Sequence, residues 1–292
     1  MIEFVTPSNK TVQTRWLRYP QLHSGGEVCL FVSFLPGGSM REHSLCHAKA
    51  WADAGFRVVL LLITDMYSGE VETDDLTFAS GVLIRENRGY DFGAWASAFA
   101  QLPEIREASL VALVNDSVYG PFDTFAGMLK RIREMDADVI GATESAQYVR
   151  HFQSFLLFFK PRALTSKAFW HFWSNVRAGG RTVAIYRYEL GLLNTLERAG
   201  LRCRALFPNT DSRNPTYRRW RELIEDGFPY LKTSLLREPR LKRHLSGWQQ
   251  ILRDRGYDPT IVERHLQNKD EGKSYKHGTG ENIGSVGGLS VE

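Results

Sequence analysis

The chain predicts an α/β fold, a mostly parallel sheet flanked by helices, with a helical extension behind it. Three observations carry that expectation. Residues 28–35 (VCLFVSFL), 56–64 (FRVVLLLIT) and 110–114 (LVALV) are continuous apolar runs of strand length. None alternates as a half-exposed strand would, so each asks to be buried on both faces. Stretches of helix length separate the runs, which is the rhythm of βαβ units.

Taken in order, residues 1–25 carry no clear period and read as an extended lead-in. The first strand, 28–35, meets a turn at Pro36, Gly37 and Gly38. Ser39 with Glu42 three residues on has the form of a capping box, opening a helix that ends at Gly55. Strand 56–64 stops just before Asp65, and an acidic loop follows. Residues 81–84 form a short third strand, and the turn Glu86, Asn87, Arg88, Gly89 leads into a helix stopped by Pro103. Strand 110–114 ends abruptly in Asn115, Asp116 and Ser117, and Pro121 is expected to open the next helix. Residues 137–143 and 152–160 read as two more strands, and 183–199 as a helix ending at Gly200. Residues 201–207 read as a closing strand. The expected organisation is a lead-in (1–25), a ligand-binding domain (26–210), a basic helical extension (211–267) and a disordered Gly/Ser/Lys-rich tail (268–292).

At 292 residues the chain is long enough to bury a full core, and 43% hydrophobic with 24% charged residues is ordinary for a globular protein. The three cysteines are far apart and follow no disulfide or metal spacing, and the opening residues have no secretory pattern. With no apolar run near the roughly 20 residues that span a bilayer, the expected setting is cytoplasmic, at most peripheral at the inner face of the membrane. The net charge of +4 is uneven: residues 201–267 hold 14 Lys/Arg against 8 Asp/Glu. There Arg237, Arg240, Lys242 and Arg243 mingle with Leu235, Leu236, Leu241 and Leu245, a mixture suited to an amphipathic helix on anionic lipid. Nucleic-acid binding would rest on that basic stretch alone and ranks last. A Walker loop and a G-x-G-x-x-G after a strand are both missing, which argues against P-loop NTPases and dinucleotide-binding dehydrogenases.

Four blocks carry a resemblance: NRGYDFGAW from Asn87, VNDSVYGP from Val114, HFQSF from His151 and YELG from Tyr188. In this order they resemble the rhamnan synthesis protein F family, associated with bacterial cell-surface polysaccharide assembly and regarded as glycosyltransferase-like. The same blocks look like a degenerate form of the GT-A nucleotide-sugar glycosyltransferase pattern. The resemblance implies that Asn87, Arg88 and Gly89 form the turn beneath a nucleotide-sugar donor, with Asn115, Asp116 and Ser117 also binding it. Asp116 would be the ligand of a divalent cation, Mg²⁺ or Mn²⁺. The tripeptide departs from the usual pattern, with one carboxylate where two are usual.

Glu189 stands where inverting enzymes of this kind often place an acidic residue, and a positioned carboxylate can take the proton of an attacking sugar hydroxyl. Asp91 and His151 are the other candidates for chemistry, and Gln153 and Tyr188 are candidates for contact with a glycan or lipid-linked glycan acceptor. Each has a plainer alternative. Asp91 could cap its helix, His151 could be a satisfied core histidine, and Glu189 could pair with Arg187. Three readings follow. The first is a glycosyltransferase acting on rhamnose or a related deoxyhexose. The second is a GT-A-like scaffold without catalysis, favoured by the single carboxylate. The third is a nucleotide-sugar pyrophosphorylase, of whose Gly-rich loop residues 36–41 are a faint echo.

Overall fold

The structure is a computed structural model describing residues 12–67, 70–209, 211, 213–238 and 245–267. Its strands in chain order are β1 (Thr14–Arg18), β2 (Glu27–Phe34), β3 (Arg57–Thr64), β4 (Gly81–Glu86), β5 (Leu110–Asn115), β6 (Val118–Tyr119), β7 (Val139–Ser145), β8 (His151–Phe152), β9 (Leu156–Phe159), β10 (Cys203–Phe207) and β11 (Leu231–Lys232). The main sheet runs β1-β4-β3-β2-β5-β9-β7-β10, with β8 on β7, while β6 and β11 pair separately. Strands β2, β3, β4 and β5 are parallel, as are β7 and β10. Strand β9 lies antiparallel between β5 and β7, and β1 antiparallel on β4. The fold is α/β, with a mixed, mostly parallel sheet flanked by helices.

The helices are α1 (Glu42–Asp53), α2 (Tyr90–Gln101), α3 (Phe125–Glu134), α4 (Pro161–Leu164), α5 (Lys167–Ser174), α6 (Arg181–Val183), α7 (Leu190–Arg198), α8 (Pro215–Arg218), α9 (Trp220–Glu225), α10 (Thr233–Arg237), α11 (Trp248–Asp254) and α12 (Pro259–Gln267). The period of two along β2 explains why its run is apolar throughout. Val28, Leu30, Val32 and Phe34 pack with residues of α2, α5 and α7, whereas Cys29 and Phe31 pack with those of α1 and α3. Trp95 on the first face and Trp51 on the second are fully buried. Burying a large apolar side chain contributes about 1.5–3 kcal/mol. The indole N–H of Trp95 costs nothing there, because it donates to the Leu30 carbonyl at 3.1 Å. A third cluster, including Tyr119, Trp220, Leu235 and Leu252, sits under the C-terminal helices.

Several expectations need correcting. The lead-in contains β1, an edge strand whose residues are half-buried or exposed, so it has no apolar run to announce it. Residues 152–160 form two short antiparallel strands, β8 and β9, rather than one. Helix α3 begins at Phe125, later than Pro121 suggests. The capping box does not form: Arg41 precedes α1 without a side-chain cap, and the Glu42 carboxylate is taken by Arg264 of α12 at 2.6 and 2.7 Å. Residues 1–11 of the lead-in and the expected tail lie outside the described residues.

Strand order reverses between β2 and β5. The chain steps outward from β2 through β3 to β4, then returns to lay β5 on the other side of β2. The crevice at the carboxyl ends of such a pair is where open α/β sheets take ligands.

Candidate functional site

A hydrogen-bonded chain crosses this crevice. Asn115, almost wholly buried at the end of β5, donates from Nδ2 to Asp91 Oδ2 at 2.7 Å. Its Oδ1 accepts from the Ser117 hydroxyl at 2.6 Å and the Ser117 amide at 3.1 Å. Ser117 Oγ accepts in turn from Lys232 Nζ at 3.0 Å. Lys232 reaches this point because β11 pairs antiparallel with β6, setting Lys232 opposite Val118. Its ammonium also lies 4.0 Å from the centroid of the Phe155 ring, an attraction between a cation and a ring face.

The turn before α2 forms the neighbouring rim. Gly89 has φ 83°, and a Cβ on it would approach the Ala178 Cα to 3.1 Å, so only glycine fits without strain. Asn87 donates from Nδ2 to Asp65 Oδ1 at 2.7 Å, joining the ends of β3 and β4, and the Arg88 amide donates to the Glu86 carbonyl at 2.8 Å. Asp91 lies in the first turn of α2 and does not cap it with its side chain. Its carboxylate faces Asn115 instead, and the positive end of the helix favours negative charge there.

Asp116 bridges the switch point. Its Oδ2 accepts from Ser33 Oγ at 2.9 Å and from the Phe34 amide at 3.0 Å. Its own carbonyl accepts from His43 Nε2 at 3.3 Å.

Glu189 ends a π-helical stretch (Ala184–Glu189) that passes directly into α7. Such wide turns are frequent at functional sites. Its Oε1 accepts from both the Ser154 amide (3.0 Å) and hydroxyl (2.9 Å). Its side-chain hydrogen bonds therefore go to Ser154, where the sequence suggested Arg187 as the structural alternative.

Charge ties these groups together. Burial pushes the Asp91 carboxyl up to about 7, and the nearby charges of Asp116 and Glu189 push the same way, against the Asn115 hydrogen bond and Lys232. Burial draws Lys232 down to about 8, opposed by Glu189 and Asp91. Both side chains keep some solvent contact, so these are shifts of half-open groups rather than of sealed ones.

Thus Asp91, Asn115, Ser117 and Glu189 share one neighbourhood, with Asp116 beside them and Asn87, Arg88 and Gly89 on its rim. The remaining candidates are held differently. His151 is buried, and its Nδ1–H donates to the Val149 carbonyl at 2.8 Å. Gln153 is buried and accepts from Thr143 Oγ1 at 2.7 Å. Tyr188 packs against Phe92 in the core, and its hydroxyl accepts from the Arg177 amide at 2.8 Å. The sequence did not point to Lys232 or Ser154. Ser154 sits inside the HFQSF block and could have been singled out, but nothing local marks Lys232.

A divalent metal at the strand end would compete with bonds already made there. Asn115 Oδ1 serves Ser117, Asp116 Oδ2 serves Ser33 and Phe34, and the Ser117 hydroxyl lies against an ammonium. A dication on Asp116 would share this strand end with the charge of Lys232. Among the described residues no group of three or more His, Cys, Asp or Glu is arranged to hold a metal ion. No helix among them is long and apolar enough to cross a membrane.

Comparison with known proteins agrees with the blocks along the crevice. The chain is 28% identical over 209 residues to virulence protein VirA of Vibrio anguillarum, an alignment covering 59% of this chain and 67% of that protein. The model of the family described as rhamnan synthesis protein F matches residues 60–274, which take in β4, β5, the π-helical stretch and Lys232. The chain therefore belongs to the rhamnan synthesis protein F family, and so to the synthesis of rhamnan and cell-surface polysaccharide.

Proposed function

We propose that this protein is a GT-A-like glycosyltransferase that moves a sugar, rhamnose or a related deoxyhexose, from a nucleotide-sugar to a growing surface glycan. The observation that carries the reading is the meeting of Asp91, Glu189 and Lys232 at the carboxyl ends of the strands, beside the switch point. Transfer forms a bond between an acceptor oxygen and the anomeric carbon. It breaks the bond from that carbon to the diphosphate, whose oxygen keeps the electron pair. The acceptor proton goes to Glu189, whose carboxylate Ser154 holds in place. Asp91, close to half-protonated at neutral pH, can accept or donate a hydrogen bond to a sugar hydroxyl.

Glu189→Gln keeps the shape and the acceptor oxygen for Ser154 but cannot take the proton. The expected result is a fall in kcat of about 10²–10⁴-fold with donor affinity nearly unchanged. Retained turnover in this variant, with loss in Asp91→Asn, would move the base to Asp91. A scaffold without catalysis is the second reading, favoured by the single carboxylate of Asn115, Asp116 and Ser117, where two are usual. It predicts donor binding without turnover in the wild-type protein.

A further inference from the structure

We infer that Lys232 is the resident cation of the donor site, so that its ammonium, in place of a divalent metal, holds the diphosphate and meets the charge that builds there as the sugar leaves. This inference rests on the nucleotide-sugar reading. Three independent features support it. The ammonium stands at the end of β5, 3.0 Å from the hydroxyl of Ser117, in the Asn115, Asp116, Ser117 tripeptide on which the resemblance would put a metal. It is held from two sides: the Thr233 amide donates to the Ser117 carbonyl at 3.0 Å, fixing β11 to the strand end, and the Phe155 ring lies against the charge. Finally, Asn115 Oδ1, Asp116 Oδ2 and the Ser117 hydroxyl, three of the oxygens a metal would take there, are already engaged within the protein.

The chemistry suits an ammonium. It carries three N–H donors, of which Ser117 uses one, and lysine binds phosphate as a compact point charge. When the bond to the anomeric carbon breaks, the leaving diphosphate gains one negative charge, and a fixed cation in a partly dry site stabilises it without reorganisation. A merely structural Lys232 would instead act as counterion to Asp91 and Glu189, and its loss would be felt in folding alone.

Calorimetric titration with inorganic pyrophosphate, in EDTA and again with Mg²⁺, tests this on the full chain. The wild type is expected to bind in EDTA about as well as with Mg²⁺. Lys232→Met should weaken binding roughly 10- to 100-fold, the scale of a lost charged hydrogen bond, and Lys232→Arg should recover most of it. Wild-type affinity should also fall as pH rises past about 8, where the free ammonium loses its proton, while the arginine variant holds. Unchanged affinity in a Lys232→Met protein of lower melting temperature would overturn the inference, as would pyrophosphate binding that requires Mg²⁺. Sugar transfer that needs Mn²⁺ would remove the role of Lys232 and leave the transferase standing. Metal-free pyrophosphate binding through Lys232, with no turnover of any nucleotide-sugar, would support the site and remove the transferase.

Discussion

At neutral pH a carboxyl whose pKa is near 7 is divided between two charge states, and Asp91 is in that position. In the unfolded chain the same group titrates near 3.9. Between about pH 4 and 7 the folded protein therefore binds more protons than the unfolded one, and this contribution to stability is lost as pH rises. Asp91→Asn removes the titration and keeps an oxygen for Asn115. The variant should gain on the wild type by on the order of 1–3 kcal/mol between about pH 4 and 8, after allowing for the solvent contact of the site. Urea unfolding of both proteins across that range measures it, and a difference that does not vary with pH would contradict the burial of Asp91. Buried histidines act in the opposite sense. His47 is drawn down to about 3 and His43 to about 4, chiefly by burial, so their contribution is present above about pH 6.5 and lost as the medium is acidified. Both proteins share that acid limb, so the difference between them isolates Asp91.

The pairing of β6 with β11 sets Lys232 in place, and it depends on one close approach. Gly120 has φ 135°, and a Cβ there would run into the Pro229 carbonyl oxygen and come within 2.7 Å of the Tyr230 ring. Gly120→Ala is expected to cost about 2–4 kcal/mol from backbone strain and overpacking. Pyrophosphate affinity should fall with it, because β11 must shift. Unfolding midpoints and calorimetry check the two effects, and a variant stable but unable to bind would separate the strand from the fold. The same pair shows what the sequence could and could not disclose. Strands β2, β3 and β5 were legible because strands covered on both faces are continuous apolar runs. Asp116 was legible because a carboxylate interrupts such a run. Strands β8 and β11 have two residues each, too few for any period, and β1 sets Trp16 and Leu17 between Arg15 and Arg18, so no apolar run marks it. Lys232 belongs to the site through residues far from it in the chain, among them Ser117, 115 positions earlier, and Phe155. No local pattern records a contact of that kind.

The segment after residue 210 belongs to the body of the molecule: it supplies β11, Lys232 and most of the third core cluster. Part of the basic stretch expected to form an amphipathic membrane helix lies in that cluster. Helix α10 ends at Arg237 and α11 begins at Trp248; Arg240, Leu241, Lys242 and Arg243, between them, lie outside the described residues. Leu235, Leu236 and Leu245 are 1%, 4% and 5% exposed, packed against Tyr119 and Trp220 among others. A leucine buried in protein is not available to lipid. Contact with an anionic membrane, which we propose from the basic excess, would then be electrostatic, worth about 1 kcal/mol per basic residue near the surface. Flotation with anionic vesicles should recover the protein at low salt and lose it at about 0.5 M, where the Debye length is only a few ångströms. Replacing Leu235 and Leu236 by alanine decides between the two pictures. If the leucines are core, each substitution should cost about 2–5 kcal/mol of stability, and the folded variants should float as the wild type does. If they insert into lipid, stability should hold, flotation should survive high salt in the wild type, and it should disappear in the variants.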